Sequence, residues 1–419
     1  MSTATLQKPW QREAATIGWI SLAHGTSHFF HLLLPPLFPA LMSQLGLSFT
    51  RCGLLMSVFF LVSGVGQALA GFVVDRAGPL PVLLSGIGAL ACAGVLLGWS
   101  SDYHQLLAVA AIAGAGNSIF HPADFTILNR NVTGSRLGHA FSSHGLAGNL
   151  GWAAGAMFMG GVAATAGWHA AGFGAGVVAL VVLAILLARR SALAVALPSH
   201  TGGVAGLAAN AGTRTSPFGF LGSGAVWMCF VFFFLATGAF AVLQNFAPSL
   251  LGHVYGLSGA LATTGLTAYL LGSGAGTFVG GFVAARTDRN ETVVAAALGA
   301  AALLSIWLAF GAVPGWALLG VLALMGFGAG VAGPSRDLLV RRAATARFGA
   351  SSYGRVYGFV YSGLDARMAV IPVLFGGLLD AGLFRAALVG IAALQVGALL
   401  TALGVRGDSD SPRSHSLAS

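Results

Sequence analysis

Apolar runs long enough to cross a hydrocarbon core of about 30 Å recur from one end of the sequence to the other, and nothing else restricts the fold as much. They lie near 16–45, 52–74, 81–100, 104–128, 140–164 and 168–188, then near 223–250, 258–285, 293–312, 315–340, 356–379 and 384–404. Only 7% of the 419 residues are charged and the mean hydropathy is +0.85, where a soluble domain carries about a quarter charged residues. The expected fold class is therefore all-α and integral to the membrane, with about twelve transmembrane helices.

The charges that remain are asymmetrically placed. With a cytoplasmic N-terminus, Arg76, Arg130, Arg136, Arg286, Arg341 and most other basic residues fall on the cytoplasmic side, and only Arg51 and Arg385 fall outside. The positive-inside rule then predicts a multi-pass protein of the inner (plasma) membrane with both termini cytoplasmic. It also accounts for the pI near 10.3 without nucleic acid as a partner. The basic start, Lys8 and Arg12, leads straight into a long apolar span with no short apolar core and cleavage site, so the first span is expected to stay. Cys52, Cys92 and Cys229 have no metal-ligand spacing and are expected to pack.

The two halves echo each other. "GFVVDRAG" at Gly71 to Gly78 recurs as "GFVAARTD" at Gly281 to Asp288, and Pro122 with Asp124 corresponds to Pro334 with Arg336. Two six-span units that both enter from the cytoplasm imply parallel repeats about an axis along the membrane normal, with substrate between them. The expected division is a first bundle at 1–190, a Gly/Ser/Thr-rich linker at 191–222, a second bundle at 223–405 and a tail at 406–419.

These residues resemble a known family. "GFVVDRAGP", with Gly71, Asp75, Arg76 and Gly78, is similar to the cytoplasmic loop signature of the major facilitator superfamily. Within it, "GAGNSIFHPADFTILNR" and "GHAFSSHGLAGNLG" resemble the fosmidomycin-resistance branch of drug efflux carriers, matching at Ser27, His28, Phe120, His121 and Pro122. Ala123 stands where that branch has glutamate, with Asp124 one residue later, and His31-Leu32 stands where it has Asn-Asp. The resemblance implies two six-helix bundles lining a cavity with the first and fourth spans of each half. It further implies a loop at Gly71, Asp75, Arg76 and Gly78 that acts as a conformational latch.

In the spans that the resemblance puts on the cavity, helical spacing groups the candidates. His24, His28 and His31 in "HGTSHFFHLLLPP" fall on one stripe, and Asn117, His121 and Asp124 repeat that spacing in the fourth span. Asp124 is the sole acid within the first-half spans, which makes it the leading proton carrier with His28 and His121; the plain alternative is an ion pair with Arg130 or Arg136. The second half inverts the charge, with Arg336 in the repeat position of Asp124 and with Asp365 and Arg367 in the eleventh span. Arg336 suits an anionic group through bidentate bonds; alternatively Arg336 pairs with Asp365, or Arg367 with Asp337, and binds nothing. Gln244 and Asn245, ahead of Pro248, add neutral polar groups to the substrate-binding set of His24, His28, His31, Asn117, His121, Arg336 and Asp365.

The expected function is a proton-coupled secondary transporter of a small organic solute, anionic or zwitterionic, working by alternating access, with the lipid bilayer and protons as its other partners. The resemblance implies efflux, while the altered first and fourth spans suit an importer equally. The alternative is a transition-metal carrier in which His24 and His28 ligate an ion with His121. No enzyme activity, cofactor or resident metal is expected, since no nucleophile-base pair or phosphate-cradling loop stands out. A monomer is expected.

Overall fold

The computed structural model describes residues 9–194, 224–287, 289–348 and 353–409, so most of the expected linker and tail lies outside the described residues. Among those residues there is no strand. The helices are α1 (Pro9–His31), α2 (Phe38–Leu45), α3 (Phe49–Ala77), α4 (Pro79–Trp99), α5 (Tyr103–Asn117), α6 (Phe120–Asn131), α7 (Gly134–Ala166) and α8 (Trp168–Ala188). The short α9 (Arg190–Leu193) follows, then α10 (Gly224–Tyr255), α11 (Gly259–Arg286), α12 (Asn290–Ala309), α13 (Leu318–Phe348), α14 (Tyr353–Asp380) and α15 (Phe384–Ser409). Nine helical stretches among the described residues are long and apolar enough to cross a membrane. Three further helices, α1, α7 and α14, have 23, 33 and 28 residues. They dilute their apolar surface with the histidines, asparagine, aspartate and arginine that build the site.

Prolines set where the helices break. A proline removes one amide donor and crowds the carbonyl four residues earlier. Pro35 therefore acts on His31, where α1 ends, and a short 3₁₀ turn at Pro35–Leu37 leads into α2. Pro122 acts in the same way on Ser118, and the expected fourth span divides there into α5 and α6. Pro248, by contrast, lies inside the continuous α10. At the loop motif, Gly78 holds φ 83° and Pro79 starts α4 immediately, so a side chain at 78 would be strained.

Helix pairs approach through small residues, as expected where lipid supplies no hydrophobic drive between helices. In the first half α1 packs on α7, α4 on α8 and α3 on α5; in the second, α11 packs on α13 and α10 on α14 and α15. Gly151 of α7 lies against the Gly25 carbonyl of α1, and Gly272, Gly276 and Gly280 of α11 lie against the carbonyls of Ala323, Phe327 and Val331 in α13.

Two seams join the halves. Along α3 and α14, Gly53 meets the Pro372 carbonyl, Ser57 Oγ donates to the Ala369 carbonyl, and the Phe49 and Thr50 amides donate to Asp380 at 2.6 and 2.9 Å. Along α7 and α11, Gly160 meets Thr263 and Asn149 meets Gly274. At the end remote from the Gly71–Gly78 loop, Phe38, Phe49, Phe246, His253 and Phe384 close over these seams, the His253 and Phe384 rings stacked at 3.9 Å. Toward the loop-motif end a groove of about 870 Å³ separates α7 from α11, bordered by His139, Phe141, Phe282 and Pro334. Aromatic side chains thus close one end, and α7 and α11 part toward the other.

Candidate functional site

The α1 histidines lie flat against α7 because α7 offers glycines where they pass. Gly25 approaches the Ala147 carbonyl, and the space left by Gly148 is filled by the His28 and His24 rings. His24 and His28 have ring centres 4.4 Å apart, His28 and His31 4.8 Å, and His28 stacks on Trp152 at 4.3 Å.

The two predicted stripes meet. His31 Nε2 lies 3.0 Å from Asn117 Oδ1, and the His24 and His121 rings are 5.3 Å apart. Trp152 Nε1, which can only donate, gives its hydrogen to His31 Nδ1 at 3.0 Å. His31 therefore carries its proton on Nε2 and donates it to Asn117, whose Nδ2 donates in turn to Ser63 Oγ at 2.8 Å. Both ring nitrogens of His31 are engaged and the ring is neutral, which fits a positioning role.

Asp124 is fully buried. Its Oδ2 lies 3.1 Å from His144 Nε2 and 3.4 Å from His24 Nδ1, while Oδ1 and His24 Nδ1 make no hydrogen bond. The His24–Asp124 approach lacks hydrogen-bond alignment. The His24 and His144 rings stack at 3.4 Å. Of the arginines the sequence offered as partners, Arg136 pairs with Glu13 at 3.3 Å and Arg130 is exposed; the carboxylate is held by imidazoles. His121 Nδ1 donates to Gln67 Oε1 at 2.9 Å, leaving Nε2 as an acceptor beside a groove of about 460 Å³.

Across the seam, Trp152 lies 4.8 Å from Phe240, and Phe240 lies 6.0 Å from Tyr269. Arg367 Cζ sits 5.5 Å from the Phe240 ring centre while its Nη1 donates to the Thr237 carbonyl at 2.8 Å. Arg336 lies over Phe233 at 4.5 Å. Asp365 faces Gly64 of α3 at the seam, and the side chain of Asp337 lies outside the described residues. Gln244 and Asn245 are buried; Asn245 Nδ2 donates to the Ala241 carbonyl, whereas Gln244 Nε2, Asn245 Oδ1 and Tyr269 Oη have no partner among the described residues. In the loop motif, Gly71 borders the 460 Å³ groove with open space around its Cα, Arg76 is exposed, and the Asp75 side chain lies outside the described residues.

Sequence reasoning passed over His144 and Trp152. His144, Gly148 and Trp152 follow one another at four-residue intervals, a stripe that alternates large polar or aromatic groups with a gap. That interval was the available signal.

The profile of the Major Facilitator Superfamily matches residues 20–347. The chain is 32% identical over 173 residues to the fosmidomycin resistance protein of Escherichia coli (strain K12), covering 41% of this chain and 40% of that one. It is 27% identical over 150 residues to the uncharacterized MFS-type transporter YfnC of Bacillus subtilis (strain 168), covering 36% of each. The aligned region thus spans about two fifths of those relatives. In fold, the chain is similar to a bacterial homolog of the human lysosomal transporter Spinster in an inward-facing and occupied conformation, with TM-score 0.73 at 12% identity over 97% of this chain and 100% of that one. It is likewise similar to the nucleoside transporter NupG, with TM-score 0.74 at 13% identity over 93% and 99%.

Proposed function

This chain belongs to the major facilitator superfamily, and from that membership and its site we propose that it is a secondary transporter of a small organic solute, anionic or zwitterionic, driven by protons through alternating access of its two halves. The observation that carries the reading is the fully buried Asp124 carboxylate, hydrogen-bonded among the described residues to His144 at 3.1 Å, with His24 beside it at 3.4 Å. An ionisable group inside a membrane bundle costs stability, so its retention points to function. In this reading Asp124 exchanges the proton, His121 hands it in from the groove, and His28 passes it toward the seam. Arg336 and Arg367, in the opposite half, supply the positive charge that an anionic solute meets. The loop-motif end faces the cytoplasm of the inner membrane, both termini are cytoplasmic, and the Asp75–Arg76 loop biases the conformational equilibrium. The chain works as a monomer without catalysis.

The test is purified protein in liposomes carrying an internal pH dye, challenged with organic acids, zwitterions, nucleosides and fosmidomycin. One anionic or zwitterionic class moves protons in the wild type, and Asp124→Asn, folded by gel filtration, abolishes that movement. Full proton-coupled flux in the asparagine variant, or flux confined to neutral solutes, sinks the reading.

A further inference from the structure

The geometry points to a binding site for one divalent transition-metal ion of the zinc class, formed by His24 Nδ1, Asp124 Oδ2 and His144 Nε2. This ligand set differs from the His24, His28 and His121 grouping that sequence spacing suggests, and its occupancy goes beyond the transport reading. The three donor atoms come from α1, α6 and α7, are all buried, and lie within 4.8 Å of one another. Donors bound to one zinc at about 2.0–2.2 Å in tetrahedral geometry stand roughly 3.3–3.6 Å apart. Asp124 Oδ2 lies 3.4 Å from His24 Nδ1 and 3.1 Å from His144 Nε2, near that spacing, and a rotation of the two stacked rings that brings their nitrogens to the same separation completes the shell.

Hydrogen bonding alone accounts poorly for this arrangement. Two ring nitrogens crowd Oδ2 while Oδ1 has none, and His24 Nδ1 approaches the carboxylate without making a bond. Buried polar atoms left in this way cost stability; a cation drawn between the three donors satisfies them once the His24 and His144 rings turn out of their stack. His28, whose Nδ1 is also without a partner, stands beside His24 as a further donor. Two imidazoles and one carboxylate favour zinc, cobalt or nickel over the all-oxygen ligation of magnesium and calcium, and the absence of sulfur from the set disfavours copper(I). Access exists through His121: its ring borders the 460 Å³ groove and lies 5.3 Å from His24 and 6.1 Å from His144.

The measurement is a titration of chelator-stripped, full-length protein in detergent, with Zn²⁺ against a competing fluorescent chelator and with Co²⁺ followed by visible absorption. The wild type takes up one equivalent of Zn²⁺, and Co²⁺ develops the d–d bands of a nitrogen/oxygen site. His144→Ala and Asp124→Asn each weaken that equivalent by more than about tenfold, while His104→Ala, an exposed histidine away from the site, leaves it unchanged. If either ligand variant fails gel filtration, His144→Gln, which keeps bulk and hydrogen bonding, carries the comparison. Equal Zn²⁺ affinity in wild type and the folded ligand variants, or no Zn²⁺ uptake by the folded wild type, overturns the site. The titration needs no flux, so failure of the transport assay and failure of the metal site are read separately.

Discussion

Gly148 decides whether the histidines of α1 can sit where they do. A methyl group there would stand 2.7 Å from His28 Nδ1 and 3.3 Å from His24 Nε2, and His28 cannot retreat without leaving its stack on Trp152. Overpacking of this kind costs about 1–3 kcal/mol, enough to displace both rings. Gly148→Ala therefore lowers proton-coupled flux more than about tenfold, whereas Gly145→Ala, with nothing within 4 Å, stays near wild type when the two are assayed side by side; equal flux would mean the rings move without consequence. At this scale the sequence displayed half of the site. Helical spacing alone aligned His24, His28 and His31, and the same spacing aligned Asn117, His121 and Asp124. His144 and Trp152 share a four-residue interval, but which face α7 turns to α1 is set by the close approach at Gly25 and Gly151, a tertiary contact that the interval alone does not give. The same contact delivers Trp152 Nε1 to His31 and fixes the tautomer of that ring.

The helices themselves were easier to read than their interruptions. Apolar length located the spans, and each break follows from a proline four residues downstream, at His31 for Pro35 and Ser118 for Pro122. A contact between elements was not legible: Asp380, the last residue of α14, accepts from the first free amides of α3, where the helix dipole also favours a negative charge. Partial burial would raise the Asp380 carboxyl, but hydrogen bonds from the Thr50 side chain and amide, the Phe49 amide and Ser48 outweigh it and hold the carboxyl below its ordinary value. A depressed value in the sealed arrangement means that sealing gains from ionisation above the ordinary carboxylate value of about 4. That gain is lost as pH falls through the lowered value. Spin labels at Arg51→Cys and Leu383→Cys, both exposed at the sealed end, report the consequence. Asp380→Asn populates a longer distance at pH 7, and the wild type acquires it only as pH falls below about 4. Identical distance distributions for both proteins across that range would show that the cap does not hold the end shut.

For the whole molecule, duplication was written in the paired loop motifs, and the helical membrane bundle follows from it together with apolar length. The uneven placing of polar groups within the spans was also visible: histidines and an aspartate in the first half, arginines beside an aspartate in the second. The sealed end was not, because Phe38, Phe49, Phe246, His253 and Phe384 come from distant segments that share no motif, and aromatic residues in membrane helices are common enough to carry no positional signal. If alternating access moves the halves as units, α7 and α11 must separate at that end in each cycle. Gly160 and Thr263 face each other there, with 3.0 Å between the Cβ position of one and the Cβ of the other. Disulfides span about 3.5–4.5 Å between Cβ atoms, so Gly160→Cys with Thr263→Cys closes after a shift of about half an ångström. In a background where Cys52, Cys92 and Cys229 are replaced, mild oxidation consumes both thiols and lowers flux more than about tenfold, and a reductant restores it. Each single cysteine variant responds to neither treatment. A protein with both thiols consumed and flux intact would show that the seam at this end never opens, and solute would then have to pass by a route other than rocking of the halves.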